Sequence, residues 1–264
     1  MKRWLCLLGP GLLVATLWAC RPTPEPGGAR ARVRVAAASD LNAALADLMA
    51  RFRASHDVDI TVSYGSSGTF YAQLLNRAPF DMFLSADLAY PRQLADRGLI
   101  VPESAFEYGT GRLVVWVPAS SALDLGRAGL QALTAASVAH VAIANPEHAP
   151  YGRAAVAAMR TQGVYERVQP KLVFGESVAQ AMQFVQSGVA DAGIVALSLA
   201  LAPAVKASGR WVEIATSDYP AIEQGGVILR WAADIDAAKA FRAYLVSADG
   251  RAILEQYGFF PPGT

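Results

Sequence analysis

The sequence is poor in residues that cross-link a chain or hold a metal ion. It has two cysteines and three histidines in 264 residues. Cys6 lies in an apolar leader, so the mature chain keeps only Cys20 and forms no internal disulfide. No HExxH, CxxC or P-loop pattern occurs, which argues against a protein-held metal ion, a nucleotide or another cofactor. The fold must therefore be stabilised by its core.

Charge is sparse as well, because 17% of the residues are charged and 53% are hydrophobic. Two of the 23 basic residues, Lys2 and Arg3, lie in the leader, which leaves 21 basic against 22 acidic residues in the mature chain. No basic tract suits nucleic acid. Beyond the leader, no apolar run is long enough to suggest a membrane span. The composition is typical of a globular protein.

The N-terminus has the pattern of an export signal. A basic start is followed by an apolar stretch from Trp4 to Cys20, which a Gly-Pro-Gly triplet interrupts. The stretch is shorter than the roughly 20 residues of a membrane-spanning helix and predicts a signal peptide over residues 1–19. Its end, Leu-Trp-Ala-Cys, resembles the lipobox of bacterial lipoproteins. This favours an acylated Cys20 and a tether over residues 20–31, and the alternative is simple cleavage that leaves Cys20 a free thiol.

Short β-rich runs alternate with helix-period segments through the rest of the chain. Nine strands are predicted, at residues 33–37, 60–64, 81–84, 113–117, 141–144, 171–174, 193–195, 211–214 and 227–229. Leu41, Leu45, Leu48 and Phe52 recur every three or four residues, as one buried helix face requires. Alternating strands and helices predict an α/β fold of mixed sheets flanked by helices.

Small and hydroxyl residues stand where predicted strands give way to helices. Ser39 and Asp40 follow the first strand, and the turn Gly-Ser-Ser-Gly at residues 65–68 follows the second. Helix starts expose unpaired N–H groups and partial positive charge, so several of them together form a receptor for an anion. Each of these serines also suits an ordinary helix cap. A third interpretation makes Ser66 or Ser67 the nucleophile of a serine hydrolase, with His148 as its base.

Several motifs, in order along the chain, resemble the bacterial molybdate-binding proteins of ABC importers: VAAASDLNAALADL, SYGSSGTFYAQL, APFDMFLSAD, NPEHAPYG, GESVAQAM and DAGIVALS. The resemblance runs from about Val33 to Phe259. It implies a two-lobe periplasmic-binding-protein (type II) fold, which closes on a molybdate or tungstate ion. Residues 32–110 plus 222–264 would form one lobe and residues 111–221 the other, with crossings near residues 109–112 and 220–224.

The resemblance also implies a set of hydrogen-bond donors to the oxyanion: Ser39, Ser67, Tyr151 and Val178. The two serines would give hydroxyl and amide donors, and the other two residues would give amides. Ser66 and Gly68 would shape the turn around Ser67. The metal would enter only as the oxyanion, and a membrane permease would be the partner of a monomeric protein outside the cytoplasm.

Two positions depart from the family's pattern. Some members place a tyrosine hydroxyl in the pocket directly after a Gly-Ile-Val run, where this chain has Ala196, and the Tyr151 side chain is a candidate replacement. Asp40 would repel a dianion, so its carboxylate is expected to turn away and cap its own helix. Alternatively, Asp40 accepts a proton from the ligand, which keeps hydrogen phosphate open as the bound anion, and sulfate is a further alternative.

Overall fold

The computed structural model describes Met1 and residues 30–263. The predicted signal peptide, Cys20 and most of the tether lie outside these residues. From Ala31 onward the chain forms one compact unit. No helix of the described residues is long and apolar enough to cross a membrane.

The first of two five-stranded sheets has the order β2-β1-β3-β10-β4. Its strands are β1 (Ala31–Ala38), β2 (Val58–Gly65), β3 (Met82–Ser85), β4 (Phe106–Gly111) and β10 (Ile222–Ile228). Strands β1, β2 and β3 are parallel, and β10 runs antiparallel to both of its neighbours. The carboxyl ends of β1 and β2 therefore meet at one edge of the sheet.

The second sheet has the order β7-β6-β8-β5-β9. Its strands are β5 (Leu113–Pro118), β6 (Val141–Ala144), β7 (Leu172–Gly175), β8 (Ala192–Ala196) and β9 (Gly209–Glu213). Strand β6 is parallel to β7 and β8, whereas β5 is antiparallel to β8 and β9. Both sheets are thus mixed, which confirms the predicted fold class.

The chain passes between the sheets twice. Arg112 alone separates β4 from β5, and residues 214–221 connect β9 to β10. The two passages lie side by side, because Gly111 at the end of β4 pairs with Ile222 at the start of β10. The sheets divide the chain close to the expected limits of the two lobes, and those limits stay a prediction.

Helices flank both sheets. They are α1 (Asn42–Arg53), α2 (Ser67–Leu75), α3 (Ala89–Asp96), α4 (Leu125–Ala128), α5 (Pro150–Thr161), α6 (Tyr165–Val168), α7 (Val178–Gln186), α8 (Leu197–Leu201), α9 (Pro203–Lys206), α10 (Ile235–Leu245) and α11 (Ala248–Gln256). The predicted face of α1 is confirmed, because Leu45, Leu48 and Phe52 are completely buried. Burying each such side chain stabilises the fold by about 1.5–3 kcal/mol.

All nine predicted strands are present, and the structure adds β4. Its sequence, FEYGTG, contains two glycines, and no strand is predicted there; residues 109–111 were expected only as part of a crossing. Glycine weakens a strand through backbone entropy, so the pattern gave no strand signal there. Pairing along β10 supplies the missing stabilisation, and a register shift between Gln224 and Gly225 accommodates the irregular sequence.

Candidate functional site

A small cavity lies where strand ends and helix starts of both sheets meet. It is lined by Ala38, Ser39, Asp40, Gly65, Ser66, Ser67, Ala86, Ala149, Pro150, Tyr151 and Val178. The structure therefore brings together the four predicted donor residues, with Asp40 and Ser66 beside them. The volume open to the centre of a water-sized sphere is about 10 Å³, which is room for about one water molecule. The walls contributed by the two sheets therefore lie close together in this conformation.

The hydroxyls of Ser39 and Ser67 accept hydrogen bonds from backbone amides. The Ala179 N–H donates to Ser39 Oγ at 3.2 Å, and the Ala86 N–H donates to Ser67 Oγ at 2.9 Å. Neither hydroxyl donates to an acceptor in the described part of the chain. Because the amides occupy a lone pair of each oxygen, both protons remain free to be donated to an anion in the cavity.

Three helices begin at the cavity, and each contributes partial positive charge there. Ser67 is the first residue of α2, Val178 is the first residue of α7, and Tyr151 is the second residue of α5. Amides in the first turn of a helix have no partner within the helix. None of the residues that line the cavity is lysine, arginine or histidine. The site therefore attracts anions by neutral donors and helix ends rather than by ion pairs.

Ser66 and Gly68 contact the segment between β6 and α5. The Ser66 hydroxyl donates to the His148 carbonyl oxygen at 2.7 Å, and the Gly68 amide donates to the same oxygen at 3.0 Å. A Cβ added at Gly68 would lie 2.5 Å from that oxygen, so the helix start approaches His148 closely only with glycine at residue 68. These two residues join the sheets across the cleft, beside the Ser67 donor.

Asp40 is 1% exposed, and its carboxylate accepts two hydrogen bonds through one oxygen. The Tyr151 hydroxyl donates to Oδ2 at 2.9 Å, and Gln224 Nε2 donates to Oδ2 at 2.6 Å. Oδ1 is buried without a hydrogen-bond partner among the described residues. Burial raises the pKa of this carboxyl to about 6, and the hydrogen bonds from Gln224 and Tyr151 offset part of the rise.

The capping role expected for Asp40 is wrong. The short 3-10 helix Ser39–Leu41 and α1 both begin without a side-chain cap, and the carboxylate bonds instead to α5 and β10. A cap was favoured because it would keep the charge away from a bound anion. Long-range packing determines the outcome instead: the phenol of Tyr151 reaches the acid from the second sheet, and the amide of Gln224 reaches it from β10 of the first sheet.

The Tyr151 side chain enters the site beside Asp40. Its hydroxyl accepts from Gln224 Nε2 at 3.0 Å as well as donating to Asp40. Burial, reinforced by the Asp40 carboxylate, raises the pKa of this phenol well above its ordinary value, so it stays a neutral donor. A Cβ at Gly111 would overlap the hydroxyl, and glycine there leaves the space that the phenol fills. Ala196, which replaces the family's tyrosine, is buried at the end of β8.

Comparisons with known proteins agree with this architecture. A family profile described as bacterial extracellular solute-binding protein matches residues 33–260. The chain belongs to that family. The molybdate-binding protein ModA of Rhodobacter capsulatus is 38% identical over 200 residues, covering 76% of this chain and 77% of its own. That of Azotobacter vinelandii is 35% identical over 259 residues, covering 98% and 97%. The resemblance noted in the sequence is confirmed.

A solved structure and a more distant relative complete the comparison. The periplasmic molybdate-binding protein of Azotobacter vinelandii superposes with a TM-score of 0.81 at 32% identity, covering 87% of this chain and 99% of its own. A putative ABC transporter substrate-binding lipoprotein of Bacillus subtilis is 28% identical over 228 residues, covering 85% of each chain. The two-lobe fold of this solute-binding protein is thereby confirmed.

Sequence reasoning missed three polar residues that support the site of this solute-binding protein. Gln224 is fully buried on β10, and its Oε1 accepts from the Tyr108 hydroxyl at 2.9 Å. The Ser198 hydroxyl donates to the Asp40 carbonyl oxygen at 2.8 Å. The polar Gln224 in the largely buried strand β10 was the available signal. Tyr108 and Ser198 gave none, because the contacts that tie them to the site, to Gln224 and to Asp40, join residues more than 100 positions apart in sequence.

Proposed function

We propose that this protein captures molybdate or tungstate outside the cytoplasm and delivers it to an ABC-type membrane permease. The observation that carries the proposal is the pair of serine hydroxyls, Ser39 and Ser67, that accept backbone hydrogen bonds and donate to no acceptor among the described residues. Hydrogen bonds from neutral donors to a charged oxygen are strong in a site that excludes water. Relatives that match 76% and 98% of the chain are named for molybdate binding, which supports this choice of anion.

Closure is the second part of the proposal. Donors from both sheets surround the cavity, so an ion bound between them would favour the closed arrangement over an open one. An ion fitted between these donors would set how far the lobes close. Selectivity against sulfate, a smaller ion with similar acceptors, would then depend on cavity size.

An enzymatic role is less well supported by the geometry, although the structure does place a serine beside a histidine. Ser66 Oγ lies 3.0 Å from His148 Nδ1, and His148 Nε2 lies 3.4 Å from Glu176 Oε2. However, the Ser66 hydroxyl is also 2.7 Å from the His148 carbonyl oxygen, which is the better acceptor for its single proton. A proton held there does not activate the serine as a nucleophile. We therefore assign no catalytic residue.

The N-terminal signals extend the proposal to the location of the protein. Residues 1–19 would be removed on export, and Cys20 would be acylated and hold the monomeric receptor at a membrane through the tether. The Bacillus subtilis relative is named a lipoprotein, which supports this arrangement. The oxyanion and the permease would be the partners of the mature protein, without nucleic acid or a cofactor.

A thermal-melting panel of the purified protein with molybdate, tungstate, sulfate and phosphate tests the proposal. A ligand at about 100 times its Kd stabilises the folded state by about 2.7 kcal/mol, which raises Tm by about 5–10 °C in a protein of this size. We expect this rise with molybdate and tungstate and none with sulfate or phosphate. A rise with phosphate alone would contradict the proposal, as would no response to any of the four anions.

A further inference from the structure

The cavity contains one acidic group in a site otherwise built of donors. Asp40 lines the cavity together with Ser39 and Ser67, and it is almost completely buried. Its two carboxylate oxygens are unequal: Oδ2 accepts from Tyr151 and Gln224, whereas Oδ1 has no hydrogen-bond partner within residues 30–263. A buried polar atom without a partner is costly, so this oxygen needs an explanation.

The groups that face the carboxyl cannot satisfy Oδ1. Tyr151 on α5 already donates its proton to Oδ2, and Tyr108 on β4 donates towards Ser85 and Gln224. Gln224 is held in one orientation, because its Oε1 accepts from Tyr108 while its Nε2 donates to Asp40 and Tyr151. The amides of Asp40 and Leu41 lie near the carboxylate, yet neither completes a hydrogen bond to Oδ1.

No fixed positive charge compensates this acid. The titratable side chains that face it are Tyr151 and, behind Gln224, Tyr108. No arginine, lysine or second acid of the described residues is among the groups that set its protonation. Arg153 pairs with Asp87 at 2.6 Å, and Arg112 pairs with Glu213 at 3.4 Å. An ionised Asp40 would therefore place an uncompensated negative charge in the wall of a cavity that holds a dianion.

We propose that Asp40 binds the oxyanion as the neutral acid and donates a proton from Oδ1 to a ligand oxygen. The inference rests on the proposed function, since it requires a fully deprotonated oxyanion in this cavity. The proton comes from solvent as the cleft closes, so one proton enters with each ion and leaves with it. Asp40 then completes the donor set of Ser39 and Ser67 instead of opposing it.

The environment of the free acid favours this step. Burial raises the pKa of Asp40 to about 6, and a dianion placed beside it raises the pKa further through like-charge repulsion. Protonation at Oδ1 also leaves both hydrogen bonds to Oδ2 in place, so nothing else in the network has to rearrange. Because binding takes up a proton, affinity falls as pH rises above the pKa of the free acid.

Titration calorimetry with molybdate in two buffers of different ionisation enthalpy measures the proton directly. At about pH 8 the wild-type protein should take up about one proton per ion, and its Kd should increase about tenfold for each further pH unit. The Asp191→Asn variant is the matched control. Asp191 is an acid of the second lobe that accepts from the amides of Ala139 and His140, away from the cleft. The Asp191→Asn variant should match the wild type in proton uptake and in the pH dependence of its Kd.

The Asp40→Asn variant provides the decisive comparison, because an asparagine amide is a permanent donor at the position of the protonated oxygen. It should take up no proton, and its affinity should be nearly independent of pH. At about pH 8 it should bind molybdate at least tenfold more tightly than wild type, since only about one free Asp40 in a hundred is then protonated. A folded variant that binds more weakly than wild type would overturn the inference.

The remaining outcomes separate this inference from the proposed function. Molybdate binding to the wild-type protein without proton uptake would overturn the role of Asp40 and leave the function intact. Phosphate binding that disappears in Asp40→Asn would make the carboxylate an acceptor and would also overturn the inference. No binding of molybdate to either protein would overturn the proposed function, and the proton uptake with it.

Discussion

At the scale of single residues, the direction of a hydroxyl proton distinguishes a ligand donor from a structural serine. Ser66 and Ser67 are neighbours in one turn, yet Ser66 donates to the His148 carbonyl and Ser67 accepts from Ala86. Only the second arrangement leaves a proton for an anion. The sequence Gly-Ser-Ser-Gly places both hydroxyls in the turn, but their partners come from distant segments, so sequence reasoning alone could not derive the difference.

Ser67→Ala tests this distinction. Removing a hydrogen bond to a charged oxygen costs about 1.5–3 kcal/mol, so the Kd for molybdate should increase about tenfold or more. The variant also leaves the Ala86 amide unsatisfied, and we expect a lower Tm in the ligand-free protein. Titration calorimetry gives the affinity, and thermal melting gives the stability.

Ser104→Ala is the control for that loss of stability. Ser104 is a buried serine of the first lobe that exchanges two hydrogen bonds of 3.2 Å with the backbone of Ile228, away from the cavity. The Ser104→Ala variant should lower Tm by a similar amount and leave the affinity for molybdate unchanged. Equal affinities of Ser67→Ala and wild type would make Ser67 a structural residue.

At the scale of elements, the start of α2 serves both the site and closure. It presents the Ser67 hydroxyl to the cavity, and one residue later it presents the Gly68 amide to His148. Backbone of the two segments can come this close because residue 68 has no side chain. An added Cβ at residue 68 would therefore obstruct closure at this position, although alanine itself is favourable within a helix.

Gly68→Ala should weaken molybdate binding by at least tenfold, because the added carbon would lie 2.5 Å from a backbone oxygen and hold the cleft open. The Tm of the ligand-free protein should fall little, since alanine favours the helix. Gly126→Ala on α4 is the control: its Cβ would approach nothing closer than 3.7 Å. Titration calorimetry measures the molybdate affinity of both variants. An unchanged affinity of Gly68→Ala would show that closure does not bring α2 against His148.

The sequence predicted most elements because their signals are local. Period-2 and period-3.6 patterns predicted the nine strands and the buried face of α1. The hydroxyl-rich junctions indicated an anion receptor, and the family resemblance implied its donors at Ser39, Ser67, Tyr151 and Val178. Strand β4 was missed, since its stability comes from pairing with β10 rather than from its own residues. The surroundings of Asp40 were missed for the same physical reason, because Gln224 and Tyr151 reach it only through the tertiary fold.

At the scale of the whole molecule, two sheets share one set of donors. The chain crosses between them at Arg112 and again at residues 214–221, and these neighbouring passages are where a hinge motion would be absorbed. Ser39 and Ser67 follow strands of the first sheet, whereas Tyr151 and Val178 begin helices that follow strands of the second. Neither lobe alone would surround an ion, so we expect the two lobes to close as the ion binds.

The most direct test of the central claim is an anomalous difference map at the molybdenum edge, from crystals of the protein grown with molybdate. The account predicts one strong peak between the two sheets, with oxygens within hydrogen-bond distance of the Ser39 and Ser67 hydroxyls and the amides of Tyr151 and Val178. A peak held by arginine or lysine side chains elsewhere, with this cavity unchanged, would contradict it.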